Sequence, residues 1–197
     1  ALLIYAACAG LAMAALGDPF RLTEWLAMLF YAANVWKLWG GFPDGALAPH
    51  PFGSLWSLAV EEHFYLLFPA LAVALVRRGW FLPAMLLGCA LSPLWRMVVH
   101  AQCGAGDGPL LLCGTFPEFR IHMGTDTRLD AMLWGCALAW ACRPGHLPGW
   151  ATARWPLLVA GAALLGSLVL RDPWFRETWR HSVQSAAIAL AMGPLVF

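Results

Sequence analysis

Long runs of apolar residues, separated by short polar or glycine- and proline-rich stretches, fill this 197-residue chain. A helix that crosses a membrane needs roughly 20 apolar residues, with a range of about 17–25. The alternation typical of barrel strands is absent, so the runs are predicted to be helices. The pattern therefore predicts an all-α, polytopic transmembrane helical bundle. About seven segments approach the required length: 1–16, 24–40, 56–76, 80–99, 127–142, 155–170 and 183–197.

The composition agrees with lipid as the main solvent. Hydrophobic residues make up 61% of the chain and charged residues only 12%, whereas a soluble domain carries about 25% charged residues. The formal net charge of +1 argues against a nucleic-acid partner, which needs a concentrated basic face. The chain starts and stops inside apolar runs, so residues 1–197 are expected to form a single membrane domain that is truncated at both ends.

Three ionisable residues interrupt the apolar segment at 56–76: Glu61, Glu62 and His63. A charged side chain in mid-membrane costs at least ~2.5–3.5 kcal/mol, and such residues normally face a polar cavity or a partner. On a helix Glu62 and His63 are rotated by about 100° and 200° from Glu61, so the three cannot share one narrow cleft. One carboxylate is expected to face a site while the other pairs elsewhere. Alternatively, all three lie near a helix start, where they stay hydrated.

A second polar cluster enters the apolar segment at 127–142 with Arg128 and Asp130. Arg128 is suited to hold a carboxylate, such as that of Glu61, or an anionic ligand. In the alternative interpretation Asp126 or Thr125 caps a helix and Arg128 extends toward the interface. Asn34 is a lone polar residue in an apolar segment, where a packing hydrogen bond is more usual than a ligand contact.

The cysteines and histidines show no metal-binding spacing, so no metal site is predicted. Cys103 and Cys113 lie in the longest loop, at about 100–126. They would form a disulfide if that loop faces an oxidising compartment, and would otherwise stay reduced.

Two blocks of this chain resemble the acyltransferase 3 family of membrane-bound O-acyltransferases. The stretch LWSLAVEEHFYLLFP resembles the family pattern L-W-S-L-x-x-E-x-Q-F-Y-L-x-x-P, with His63 in place of the usual Gln. The stretch TDTRLDAMLWGCALA resembles the later family pattern T-x-x-R-x-D-x-x-x-x-G-x-x-x-A. The matching positions are Trp56, Ser57, Leu58, Glu61, Phe64, Tyr65 and Pro69 in the first block, and Thr125 or Thr127, Arg128, Asp130, Gly135 and Ala139 in the second.

The resemblance implies an integral membrane enzyme that moves an acyl group, usually acetyl from acetyl-CoA, to a hydroxyl of a cell-envelope carbohydrate or glycolipid. Acyl-CoA is then the donor substrate, no bound cofactor is expected, and the location is the bacterial inner membrane. The family's presumed catalytic His and its R-x-x-R motif are absent from this chain and are expected upstream of Ala1. An isolated fragment is therefore expected to be inactive.

The expected roles of individual residues follow from the same resemblance. Glu61 would orient a catalytic base or bind the acceptor, while Arg128 and Asp130 fix the geometry of the site. The other residues expected to line the substrate cavity are Asn34, Trp56, Ser57, Glu62, His63 and Tyr65.

Two other functions fit the same polar residues. In a proton-coupled transporter, Glu61 and Glu62 would relay protons through the bilayer. In a non-catalytic membrane subunit, the polar residues would only join helices.

Overall fold

A computed structural model describes residues 2–15, 21–40, 55–104 and 108–196. These residues form helices and turns and contain no strand, so the all-α class is confirmed. The helices are α1 (Leu2–Ala15), α2 (Leu22–Leu29), α3 (Ala33–Val35), α4 (Leu55–Arg77), α5 (Phe81–Cys103), α6 (Leu110–Cys113), α7 (Arg120–Met123), α8 (Thr125–Arg128), α9 (Asp130–Ala141), α10 (Trp155–Val169), α11 (Pro173–Thr178) and α12 (Arg180–Val196). A π-helical turn at Trp36–Gly40 and 3₁₀ turns at Pro117–Phe119 and Gly149–Thr152 complete the set.

Two of the described helices, α4 and α5, have the length and the apolar composition needed to cross a membrane. Each has 23 residues, or about 34 Å at 1.5 Å per residue. The apolar helix α10 is shorter, with 15 residues. The bundle of seven spanning segments therefore stays a prediction.

Apolar contacts join α4, α5 and α9. Phe64 and Phe68 stack at 4.4 Å between ring centroids, and Phe81 continues the row from α5 to Trp140 of α9 at 4.8 Å. Met85 lies almost fully buried in the same cluster. Most other apolar side chains of α4 remain exposed, as expected for a helix whose outer face meets lipid.

The predicted segment at 24–40 is not one continuous helix, which corrects that expectation. Helix α2 ends at Leu29, and Tyr31 takes a left-handed backbone conformation with φ of 52°. A non-glycine residue rarely adopts that conformation, and it cannot continue an α-helix. The break turns the chain so that Asn34 is buried against the segment that precedes α8.

Cys103 at the end of α5 and Cys113 at the end of α6 form a disulfide. Both cysteines are buried with Val99 and Ile121, so the bond is part of a small apolar core under the loop. Disulfides persist in oxidising compartments.

Replacing both Cys103 and Cys113 by serine is expected to lower the free energy of unfolding by about 2–3 kcal/mol, because the unfolded chain regains the freedom of the open loop. Chemical denaturation in detergent measures the loss, and Cys8→Ser, at an exposed free cysteine, is the matched control. A double variant as stable as the wild type would show that the disulfide does not hold this loop.

Candidate active site

A buried polar junction joins α3, α4 and α8. The Asn34 side-chain amide donates to the Thr125 hydroxyl at 2.8 Å and to the Met123 carbonyl at 3.2 Å. The same hydroxyl lies 2.9 Å from Nδ1 of His63. Both hydrogens of the amide are used, so the Thr125 hydroxyl accepts from Asn34. The hydroxyl can either donate to Nδ1 of His63 or accept from it, according to the tautomer of the imidazole. The junction thus fixes the imidazole of His63 with Nε2 pointing away from Thr125.

A second contact between α4 and α8 lies about two turns away along α4. The guanidinium of Arg128 lies over the ring of Trp56, 5.8 Å from the ring centroid, within the range of cation–π attraction. Trp56 and His63 are seven residues apart, so they share one face of α4. This inward face therefore meets the TDTR stretch at two points.

Three polar residues lie on the outward face of α4. Ser57, Glu61 and Tyr65 are spaced four residues apart and are all exposed. Glu61 forms no ion pair with Arg128, so the direct pairing expected from the sequence is not present. Half-buried Glu62 likewise forms no ion pair within the described residues. The inward and outward faces separate His63 from Glu61, in agreement with the 200° rotation expected on a helix.

Asp130 pairs with a buried arginine of α5. Its carboxylate accepts from both terminal nitrogens of Arg96 on α5, at 2.7 and 3.3 Å, and it also contacts the Ser182 hydroxyl of α12. Arg96 further donates to the Thr127 carbonyl at 3.0 Å. Arg96 is fully buried and Asp130 almost so. This buried ion pair joins α5, α9 and α12 and fixes where α8 ends.

A second ion pair holds the short connection between α7 and α8. Arg120 donates to both carboxylate oxygens of Asp126, at 2.9 and 2.7 Å, and the indole of Trp95 donates to the same carboxylate at 2.6 Å. Burial alone would raise the pKa of Asp126, but the donors from Arg120 and Trp95 hold it below its usual value. Gly124 leaves room for this pair, because an added Cβ would fall against the Arg120 guanidinium.

The histidines near the start of α12 form a third polar group. His122 lies 3.1 Å from the Glu177 carboxylate, and its ring packs edge-on against His181 at 5.6 Å. The hydrogen bond from His122 lowers the pKa of Glu177. Within the part of the chain that the structure describes, no group of three His, Cys, Asp or Glu side chains is placed to hold a metal ion.

Sequence reasoning missed Arg96, Arg120 and Ser182. A signal for Arg96 was present: it is a lone arginine in the apolar segment at 80–99, and such a charge requires a partner. Asp130, an acid in the apolar segment at 127–142, was the most obvious partner for it. Ser182 carried no comparable signal, because a serine is common where helices pack closely.

Comparison with known proteins adds a family relationship to this geometry. The chain is 34% identical over 120 residues to the peptidoglycan O-acetyltransferase OatA of Listeria monocytogenes, a match that covers 58% of this chain and 17% of that protein. It is 33% identical over 125 residues to the O-acetyltransferase OatA of Staphylococcus aureus, covering 60% of this chain and 18% of that protein. The chain thus spans less than a fifth of the length of these curated relatives. No protein-family profile and no solved structure matches it.

Fold and comparisons together define the class. The described residues form an all-α structure in which two helices have membrane-spanning length. By sequence the chain is related to named O-acetyltransferases, which confirms the resemblance to a family of O-acyltransferases. Its relatives are acyltransferases, and the transporter alternative is not favoured.

Proposed function

We propose that this chain belongs to an integral membrane O-acetyltransferase that moves an acetyl group from acyl-CoA to a hydroxyl of a cell-envelope carbohydrate. One observation carries the proposal: the two family-like blocks, far apart in sequence, touch through His63 and Thr125 and through Trp56 and Arg128. Residues that serve one site are expected to meet in this way, whereas residues kept only for local capping need not.

The reaction sets clear demands on the site. The acceptor hydroxyl oxygen attacks the thioester carbonyl carbon, the carbon–sulfur bond breaks, and the proton of the hydroxyl leaves with the coenzyme thiol. A base must take that proton, and donors must stabilise the charge that develops on the carbonyl oxygen. The upstream His expected from the resemblance would be the base.

We assign acceptor binding to the outward face of α4. Ser57, Glu61 and Tyr65 present two hydroxyl groups and a carboxylate along about 12 Å of helix. A carboxylate that met acyl chains there would be costly, so a polar substrate or another polar group is its natural neighbour. Glu61 either accepts from a sugar hydroxyl or orients the base, while Glu62 lies at the edge of the same face.

The inward face of α4 has a supporting role. Asn34, Thr125 and His63 set the position of α4 against α8, and Arg96 with Asp130 sets α9 against α5. Asp130 therefore acts on the reaction through the geometry of these helices, and Arg128 lines a cavity beside them. We propose the bacterial inner membrane as the location, with the disulfide-bonded loop on its outer side.

Glu61→Gln is expected to lower acetyl transfer at least about a hundredfold, because a neutral amide neither accepts a proton nor orients a basic group. Membranes that hold the full-length protein are incubated with radiolabelled acetyl-CoA, and the label on the glycan is counted after acid quenching. Full activity in this variant would remove Glu61 from the site.

The matched control is Asp172→Asn, which changes an exposed acid that caps α11 into a residue that caps equally well. The same membranes separate the transporter alternative: label that appears on the glycan supports the enzyme, whereas pH-driven uptake without labelled glycan supports transport.

A further inference from the structure

A small cavity lies between the α8–α9 corner and the first turns of α12. Its volume is about 140 Å³, enough for a compact polar group and far too small for a sugar chain. The polar residues that line it are Arg128, Asp130, His181, Gln184 and Ser185. Four of these five side chains are half-buried and Asp130 is buried, so the cavity is a pocket rather than a surface hollow.

Arg128 is the charged residue of this cavity that lacks a counter-ion. It is half-buried and lies against the ring of Trp56, yet it forms no ion pair with any described residue. A guanidinium that is partly removed from water is stabilised most by a carboxylate or a phosphate, because it binds either group with two parallel hydrogen bonds.

The acid that lines the cavity does not repel an anion strongly. Both carboxylate oxygens of Asp130 are held by Arg96, and Ser182 contacts one of them. The nearby carboxylate of Glu177 is paired with His122. Among the described charged residues that line the cavity, Arg128 is therefore the one that forms no ion pair.

His181 adds a second recognition group. Its Nε2 atom is buried and has no hydrogen-bond partner among the described residues. Burial, together with the charges of Arg128 and Arg96, lowers the pKa of His181 to about 4, so the imidazole is neutral at pH 7. A neutral imidazole carries one hydrogen, on Nδ1 or on Nε2, and in the Nε2 tautomer it would donate to an acceptor placed beside that atom.

We propose that this cavity is a binding subsite for the carboxylate or phosphate group of a substrate, held by Arg128 and by the imidazole of His181. That the bound anion is part of a substrate rests on the proposed acetyl transfer. That the cavity binds an anion does not depend on the proposed function. A phosphate would come from the acyl-CoA donor or a phosphate-linked acceptor. A carboxylate would come from an acidic sugar.

The test follows the histidine rings of the full-length protein in detergent by ¹⁵N NMR, with the His181 signal assigned by its loss in His181→Gln. Sodium phosphate and sodium acetate are titrated separately, with sodium chloride keeping the ionic strength constant. The proposal expects a saturable shift of the His181 signal with at least one probe. Saturation by phosphate alone indicates a phosphate group, and saturation by acetate indicates a carboxylate.

Arg128→Gln is expected to weaken the binding of phosphate or acetate at least tenfold. Arg128→Lys keeps the positive charge but loses the two-donor geometry of the guanidinium, so it is expected to weaken binding less. Arg154→Gln changes an exposed arginine outside the cavity and should leave binding unchanged. Glu61→Gln should also keep binding even if it abolishes transfer, so a failure here is distinct from a failure of the proposed function. Absence of a saturable shift, or equal affinity in both Arg128 variants and the wild type, would overturn the proposal.

Discussion

Arg96→Leu is expected to lower the free energy of unfolding by about 3–5 kcal/mol, because it leaves the carboxylate of Asp130 buried without its cation. The exposed fractions of the Arg96 and Asp130 side chains are 0% and 2%, so water cannot replace the lost partner. Arg96 also donates to the Thr127 carbonyl, and that acceptor would lose its donor as well. The effect should exceed that of any single surface charge in the chain, since exposed pairs contribute about 0–1 kcal/mol.

Equilibrium unfolding in mixed detergent measures this loss, and Arg78→Leu, at an exposed arginine in the turn after α4, is the matched control. The double variant with Arg96→Leu and Asp130→Leu should recover much of the stability, because two apolar side chains of similar volume need no partner. An Arg96→Leu protein within 1 kcal/mol of the wild type would mean that the ion pair does not hold α5 against α9.

The positions of the long helices could be predicted from the apolar runs alone. Helices α4, α5 and α10 lie within a few residues of the predicted segments at 56–76, 80–99 and 155–170. The break between α2 and α3 could not be predicted, because residues 24–40 form one apolar run and the left-handed Tyr31 leaves no mark in composition. Tertiary contacts of Asn34 outweigh the local preference for a continuous helix at that point.

The sequence singles out candidate site residues, but it does not determine how their side chains pair. The cost of charge in an apolar segment drew attention to Glu61 and to the pair Arg128 and Asp130. It could not say which basic group each acid would meet, because partners on different helices depend on the rotation and depth of those helices. Asp130 pairs with Arg96, and Arg128 meets an aromatic ring instead of Glu61.

His63→Leu is expected to lower kcat/KM for acetyl transfer about a hundredfold, because the junction with Thr125 and Asn34 would no longer fix α4 against α8. Displacements of about 1 Å far from the reacting atoms can have effects of that size. His63→Gln, the residue of the family pattern, should stay close to the wild type, because the glutamine amide oxygen can accept from the Thr125 hydroxyl.

Initial rates of glycan labelling, measured over a range of acetyl-CoA concentrations, separate kcat from KM in these two variants. If His63 acts through position, the leucine variant loses activity and the glutamine variant keeps it. An amide cannot exchange a proton as an imidazole does, so activity in the glutamine variant would exclude proton transfer by His63. Equal loss in both variants would instead make His63 a proton-transfer group, because only the imidazole would then suffice. Thr125→Val removes the shared hydroxyl and should reproduce the leucine phenotype, which ties the effect to the hydrogen bond that joins the two blocks.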